Sequence, residues 1–298
     1  MKNKILVIGS ANTDLVIHSP KMPTLGETLT GSDFQINAGG KGLNQAVAIA
    51  KLGGEVSFFG AVGEDANGKI LMDCLKEYPV NFEGITLPNT PTGTAMITVV
   101  KGDNFILLHP GANHRLTPEI IEEKEHLIAQ SEFCVLQLEI PMDSVCKVCE
   151  LAKKHNTKVV LNPAPFTKLP QSLFSKIDYF IPNEHEAFSL TGTFPDTREH
   201  CIQAVEHIKA LGVPHPIITL GEKGCVYHNG TQVVFHPAVP TKAVDTTAAG
   251  DTFIGALVTK LSQNKSLEEA ITFATKAAAI TVSREGAAKS IPFSQEVE

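Results

Sequence analysis

Asp245-Thr246-Thr247-Ala248-Ala249-Gly250-Asp251 runs straight into Thr252-Phe253-Ile254-Gly255-Ala256-Leu257-Val258, an apolar run with helical character. Three small residues ahead of Asp251 let backbone approach a ligand closely, and the first turn of a helix aims unpaired N–H groups outward. Those donors and the helix dipole favour an anion, phosphate above all. A carboxylate in that turn is a poor anion binder but a sensible base. Asp251 would take a proton from a hydroxyl while neighbouring N–H groups stabilise charge on a phosphoryl group in transfer. An Asp at a helix start is more commonly a plain N-cap, so the rest of the chain has to decide between the two roles.

Working outward, short β-rich runs alternate with helical patterns. Strands are expected at 5–8, 56–62, 133–138, 158–161, 179–181 and 217–220, and helices at 43–52, 69–77, 142–155, 184–190 and 197–211. Two helices close the chain, at about 250–263 and 267–284. This rhythm predicts an α/β fold, a Rossmann-like three-layer sandwich with a mostly parallel central sheet covered on both faces. Two regions break it. Residues 15–38 and 91–109 alternate like hairpin strands with no helix between them, which predicts a small second sheet acting as a lid on a single domain.

Composition narrows the partners. With 298 residues, 43% hydrophobic content and a net charge of −7, the chain reads as globular, with no basic face for nucleic acid or an acidic membrane. The first apolar run, Ile5-Leu6-Val7-Ile8, is too short for a signal peptide or a membrane span. Six cysteines scattered at 74, 134, 146, 149, 201 and 225 suit a reducing cytosol. The Cys146-Lys147-Val148-Cys149 spacing falls inside a helical run and lacks a second pair, so it reads as ordinary helix.

Polar and glycine-rich segments follow nearly every expected parallel strand. Gly9-Ser10-Ala11-Asn12-Thr13-Asp14 follows the first, where an Asn and an Asp offer donors and acceptors to paired hydroxyls or simply make a turn. Gly39-Gly40-Lys41-Gly42-Leu43-Asn44 precedes a helix; it lacks the Walker A spacing, and its three glycines favour a ligand contact. Glu139 ends the strand at 133–138, and Asn183-Glu184-His185-Glu186 opens a helix. Asn183 and Glu186 are candidates to hold phosphate through Mg2+ and water, although Glu184 and Glu186 also suit a helix N-terminus as such. Thr219-Leu220-Gly221-Glu222-Lys223-Gly224 reads equally as a hairpin or a nucleotide contact. In an open parallel sheet, ligands bind beyond the carboxyl ends of the strands, and together these segments mark that edge as a site.

Two of these stretches, in this order and at this separation, resemble the signatures of the ribokinase-like, pfkB-type carbohydrate kinases. The first is Gly39-Gly40-Lys41-Gly42-Leu43-Asn44-Gln45-Ala46, continuing with Gly53 and Gly63; the second is 245–258. The resemblance covers essentially the whole chain. It implies ATP-dependent phosphorylation of a sugar hydroxyl on a Rossmann-like core with a small β lid. D-ribose, giving ribose 5-phosphate, is the expected acceptor; deoxyribose, fructose and adenosine are the alternatives, and a catalytically silent sugar- or nucleotide-binding regulator is the rival outside catalysis. A dehydrogenase is excluded by the absent dinucleotide fingerprint.

Carried over residue by residue, the resemblance implies that Asn12, Asp14, Gly40, Lys41, Gly42, Asn44 and Glu139 hold the sugar and that Asp251 is the base. The amides of Ala248, Ala249 and Gly250 would form an anion hole. Asn183, Thr219, Gly221, Gly224, Gly250 and Thr275 would line the nucleotide, with Glu186 organising Mg2+. A K+ ion would sit beside Asp245, Thr247, Thr281, Arg284, Gly286 and Ser290, several of them through backbone carbonyls. Many relatives have Gly where this chain has Ala248, a change that is tolerable if φ there stays negative. The free edges of the lid sheet predict a homodimer formed through it.

Overall fold

The computed structural model describes residues 4–101 and 103–298; Gly102, inside the segment 91–109, lies outside the described residues. In chain order the first part comprises β1 (Ile5–Ile8), β2 (Asn12–Ser19), β3 (Ser32–Gly39), α1 (Lys41–Lys51), β4 (Val56–Phe59), β5 (Ala61–Gly63) and α2 (Ala66–Glu77). There follow β6 (Asn81–Phe82), β7 (Ile85–Leu87), β8 (Gly93–Val100), β9 (Asp103–His109), α3 (Pro118–Glu123), α4 (Glu125–Gln130) and β10 (Phe133–Leu136). The second part holds α5 (Met142–His155), β11 (Lys158–Leu161), α6 (Gln171–Phe174), β12 (Tyr179–Phe180), α7 (Glu184–Thr191), α8 (Arg198–Ala210) and β13 (His215–Thr219). It ends with β14 (Cys225–His228), β15 (Val233–His236), α9 (Ala249–Ser262), α10 (Leu267–Val282) and α11 (Ser294–Val297).

Nine strands form the main sheet, in the order β15-β14-β13-β12-β11-β10-β1-β4-β6. It is parallel from β6 to β13, and β14 and β15 are added antiparallel at one edge. Its strands are apolar throughout because both faces are covered. On β1, Ile5 and Val7 enter one core with α1, α9 and α10, whereas Leu6 and Ile8 enter the other with α5 and α8. β10 divides the same way, Phe133 and Val135 to the first core, Cys134 and Leu136 to the second. Each such fully buried aliphatic side chain contributes roughly 1.5–3 kcal/mol, so the two cores dominate the stability of the chain.

A smaller sheet has the order β3-β2-β8-β9, antiparallel except for the parallel pair β2 and β8. It grows from the carboxyl edge of the main sheet: three residues separate the end of β1 from the start of β2, and β3 runs into Gly40 and α1. The segment Asn12-Thr13-Asp14, which the sequence left open between hydroxyl contacts and a turn, is the start of β2; pairing with Gly39, Ala38 and Asn37 supplies the ladder bonds that a turn would lack. The expected strand at 56–62 is broken into β4 and β5 at Gly60. Thr219 ends β13, and Leu220 to Gly224 form the connection of the β13–β14 hairpin, with Gly221 at φ 54° and Gly224 at φ 97°. The other elements expected from the sequence agree within a few residues at their ends, whereas β6, β7, β15, α3, α4, α6 and α11 had no counterpart among those expected.

Two details position the site. α1 and α9 cross so closely that a Cβ on Gly255 would lie 2.5 Å from the Cβ of Ala48, which brings the first turns of both helices together. α10 starts at a capping box, Ser266 accepting from the Glu269 amide while Glu269 accepts from the Ser266 amide, and packs along α9.

Candidate active site

Asp251 sits in the first turn of α9, 8% exposed. Each of its carboxylate oxygens takes an amide donor from α1: Gln45 Nε2 at 2.9 Å to Oδ1 and Asn44 Nδ2 at 3.2 Å to Oδ2. The Asn44 Oδ1 atom is buried and has no donor among the described residues, a vacancy that a ligand hydroxyl can fill. Ahead of Asp251, the amides of Ala248, Gly250 and Asp251 itself find no acceptor in the described residues, as the first turn of a helix dictates. The Ala249 amide differs from its neighbours: it donates to Thr246 O at 3.2 Å, so it is a turn donor here.

Ala248 has φ 62° and ψ 7°. The condition set for an alanine here, a negative φ, is not met: the turn takes the left-handed conformation, which costs a residue with a Cβ roughly 1–2 kcal/mol. Strain of this kind persists where surrounding structure over-determines it. Asp245 supplies that determination, accepting from the Thr247 amide at 2.8 Å, the Thr247 hydroxyl at 2.6 Å and the Gly286 amide at 3.0 Å.

A cleft of about 210 Å³ opens at this point, beyond the carboxyl ends of β11, β12 and β13. Asp251, Gly250 and Ala248 line it together with Lys41, Glu186, Asn183 and Thr219. Burial alone would depress the Lys41 ammonium, but the carboxylates of Asp251, Glu139, Glu186 and Asp14 outweigh it and hold its pKa above the ordinary lysine range. Burial raises Glu186 above its usual value, against the Asn183 amide and Lys41, which pull it down. Glu186 and Asn183 form a full capping box at the start of α7: Asn183 Oδ1 accepts from the Glu186 amide, and Glu186 accepts from both the Asn183 amide and its Nδ2. The cap and the cleft share the same two residues.

On the side of the smaller sheet, Glu139 Oε2 accepts from Ser10 Oγ, from the Lys41 amide at 3.3 Å and from Asn12 Nδ2 at 3.4 Å. Asp14 is raised by burial, then by Glu139 and Asp251, to about 7, against the attraction of Lys41. The glycines of the first signature have a reason inside the chain. A Cβ on Gly39 would meet Asp14 Oδ2, one on Gly40 (φ 91°) would lie 2.7 Å from the Asn12 amide, and one on Gly42 would lie 2.7 Å from Gly9 C. The close approach that three glycines predicted is thus made by β1, β2 and α1 to one another.

Several residues went unnoticed in the sequence. Asn113 is buried, donates to Asn12 Oδ1 at 2.7 Å and to Ala11 O at 3.2 Å, and accepts from the Ala11 amide at 3.0 Å, so it fixes Asn12. Asn162 lines the cleft and donates to Ile181 O at 3.0 Å. Gln45 and Gln137 are fully buried beneath Asp251. A lone amide in an apolar strand or helix was the available signal, present at 137 and at 45.

Thr275, by contrast, spends its hydroxyl on Ile271 O within α10 at 2.9 Å and does not line the cleft, and neither do Gly221 and Gly224. At the K+ candidates, Thr281 Oγ1 lies 3.0 Å from Thr252 Oγ1, and Ser290 Oγ donates to Ala287 O at 2.8 Å. Arg284 pairs its guanidinium with Glu296 at 2.6 Å, leaving only its backbone carbonyl for an ion. Asp245 together with carbonyls and hydroxyls is an all-oxygen set, which fits a hard cation. Among the described residues, no three His, Cys, Asp or Glu side chains gather as a metal site.

A buried carboxylate at a helix start, free amides one turn away, a nearby ammonium and a cleft at the carboxyl edge of a parallel sheet define an α/β phosphotransferase for small molecules. The chain matches the pfkB family of carbohydrate kinases over residues 2–294 and belongs to that family. It is 42% identical to a ribokinase of Haemophilus influenzae, covering 99% of this chain and 97% of that one. It is 38% identical to a deoxyribokinase of Salmonella typhi over 97% of this chain and 95% of the relative. The solved structure of Arabidopsis thaliana ribokinase complexed with ribose and ATP superposes with a TM-score of 0.94 at 35% identity, covering 100% of this chain and 98% of that one.

Proposed function

We propose that this protein transfers the terminal phosphoryl group of ATP to the 5-hydroxyl of D-ribose, with Asp251 as general base. The observation that carries the chemistry is the meeting, in one cleft, of the Asp251 carboxylate with the unpaired amides of Ala248 and Gly250. Relatives named for ribose at about 40% identity over the whole chain support the choice of acceptor. In the reaction, the ribose O5 proton passes to Asp251 as O5 bonds to the γ-phosphorus. The bond from that phosphorus to the β–γ bridging oxygen breaks, and its electron pair leaves on ADP. The Ala248 and Gly250 amides and the Lys41 ammonium face the charge that builds on the transferring group, where preorganised donors act most strongly.

Asn12, Asp14, Gly40, Gly42, Asn44 and Glu139 would hold the sugar hydroxyls, and Asn183 and Thr219 would border the nucleotide. Mg2+ on the ATP phosphates would supply charge neutralisation, with Glu186 reaching it through water. K+ bound to Asp245 and the carbonyls of Thr247, Thr281, Arg284, Gly286 and Ser290 would stiffen the turn that presents Ala248.

The smaller sheet is taken as the lid of a single domain, and as the dimer interface. Side chains alternate across a sheet, so Leu15 faces away from Asp14. Register then aligns Ile36, Leu15, Met96 and Leu107 in one row across all four strands. Met96 is 59% and Leu107 74% exposed, an apolar row that a second copy would cover. All six cysteines are unpaired, and no helix among the described residues is long and apolar enough to cross a membrane. The unpaired cysteines fit the reducing cytoplasm, where we place the protein.

The test is ADP release with ATP and Mg2+ against ribose, deoxyribose, fructose and adenosine, each in K+ or in Na+ alone. Turnover highest on ribose and raised by K+ is expected. A preference for deoxyribose would move the acceptor and keep the chemistry. ATP binding without turnover on any acceptor would replace the kinase reading with that of a silent binding protein.

A further inference from the structure

Beneath the cleft floor lies a file of side-chain amides, and its Gln45 and Gln137 do not line the cleft. Gln137, on the residue after β10, donates from Nε2 to Gln45 Oε1 at 2.6 Å. Gln45, on α1, donates from Nε2 to Asp251 Oδ1 at 2.9 Å and toward Asn162 Oδ1 at 3.4 Å. Gln45 and Gln137 are both 0% exposed. We infer that Gln137 and Gln45 form a directional amide relay whose role is to aim Asp251 at the attacking hydroxyl and to keep a donor, never an acceptor, against its inner oxygen.

The direction follows from chemistry. A glutamine amide has one donor end and one acceptor end, and a flip exchanges them. A flipped Gln45 would set its carbonyl oxygen against the Asp251 carboxylate, an acceptor facing an acceptor. The Gln137 donor holds Gln45 the right way round, because Oε1 must face it. The relay also has a cost in the fold: Gln137 Oε1 is buried with no donor among the described residues, beside Gly9, where a Cβ would collide with it. An unpaired buried acceptor costs stability. An apolar side chain of the same length would remove this cost but leave Gln45 Oε1 unpaired, so the amide at 137 is explained by its effect on Gln45.

This inference rests on the reading of Asp251 as base, and the experiment separates the two. Gln45→Met, Gln137→Met and Asp251→Asn are each assayed for kcat and for KM of ribose, and their thermal unfolding is measured. Methionine matches glutamine in length and removes both donor and acceptor. The relay predicts kcat lowered about 10- to 100-fold in Gln45→Met and about 3- to 10-fold in Gln137→Met, with ribose KM within about twofold, losses smaller than that of a missing general base. Gln137→Met removes one unpaired buried acceptor, its own Oε1, and leaves another, Gln45 Oε1, so its unfolding temperature should stay near the parent's while kcat falls, a separation not expected of a residue that merely supports the fold. If Gln45→Met does not fold, Gln137→Met decides alone. Parent-like kcat in both methionine variants with Asp251→Asn inactive overturns the relay and leaves the base reading standing. A raised ribose KM at unchanged kcat also overturns it, by making the amides part of sugar binding. Parent-like turnover in Asp251→Asn overturns the base reading and the relay with it.

Discussion

The floor of the cleft and the sheet above it follow opposite rules. On the floor, polar side chains are buried in an otherwise apolar core: Gln45, Gln137, Thr252 and Thr281 are all 0% exposed. In the smaller sheet, apolar side chains stand in the open, Phe34 60%, Met96 59% and Leu107 74% exposed. A buried polar group must find a partner, so the floor is held in one arrangement by its own hydrogen bonds. An exposed apolar row is not satisfied by the chain that carries it and points to a contact outside it. On the function proposed above, the floor would carry the chemistry that needs precise placement, and the sheet would carry recognition and closure.

The sharpest way to break this comparison is at the floor. Asp251→Asn is expected to keep sugar and nucleotide binding and to lower kcat by roughly two to four orders of magnitude, the usual worth of a general base. Calorimetric titration with ribose and single-turnover assays measure the two halves separately. Near-normal turnover would remove Asp251 from the mechanism and reduce the floor to scaffolding. The matching change in the sheet is Met96→Asp, which places a charge in the apolar row between Leu15 and Leu107. The dimer is expected to weaken, its Kd rising about 10- to 100-fold, with little change in the fold, because the position is exposed. Sedimentation at micromolar concentration checks this, and a monomeric parent protein would end the dimer proposal outright.

Asp14 lies where the two regions meet, and its behaviour sharpens the boundary. Its pKa in the folded chain is raised from 3.8 to about 7 by burial and by Glu139 and Asp251. Between these values the folded chain holds a proton that the unfolded chain has released, so stability falls as pH rises through the window and the full penalty applies above about 7. Asp14→Asn should therefore stabilise the ligand-free protein by about 1–2 kcal/mol near pH 8, the gap closing toward about pH 4. The same substitution should raise ribose KM. Denaturant unfolding at several pH values measures the first effect, and a gap that widens toward acid would contradict the assigned cause.

How much of this could be read from the sequence follows the same division. The parallel sheet was legible because strands buried on both faces are continuous apolar runs, and Ile5–Ile8 and Phe133–Leu136 are such runs. The smaller sheet was legible as two non-helical regions, but the start of β2 at Asn12 to Asp14 was not, because three polar residues in a row show no apolar–polar alternation and read equally as a turn or a hydroxyl contact. The site was legible where function is concentrated in a short motif, as at 39–44 and 245–251. It was not legible where a role depends on residues brought together from far apart. Asn113 meets Asn12 across 101 positions and Gln45 meets Asp251 across 206, and no local pattern encodes either pairing.

Ala248 gives the smallest effect and tests how tightly the floor is held. Its φ of 62° is costly for alanine and free for glycine, yet glycine is also the more flexible residue in the unfolded chain. The two effects oppose each other, and relief of left-handed strain is the larger, so Ala248→Gly is expected to stabilise by roughly 0.5–1 kcal/mol. The turn does not depend on that residue for its shape, because Asp245 already fixes it through the Thr247 amide and hydroxyl and the Gly286 amide. The Ala248 amide should consequently stay where it is, and kcat should change by less than about twofold, well under the cost of losing one anion-hole donor. A much larger fall in kcat with the expected gain in stability would mean that the methyl group, and not the Asp245 bonds, holds the turn in its catalytic shape.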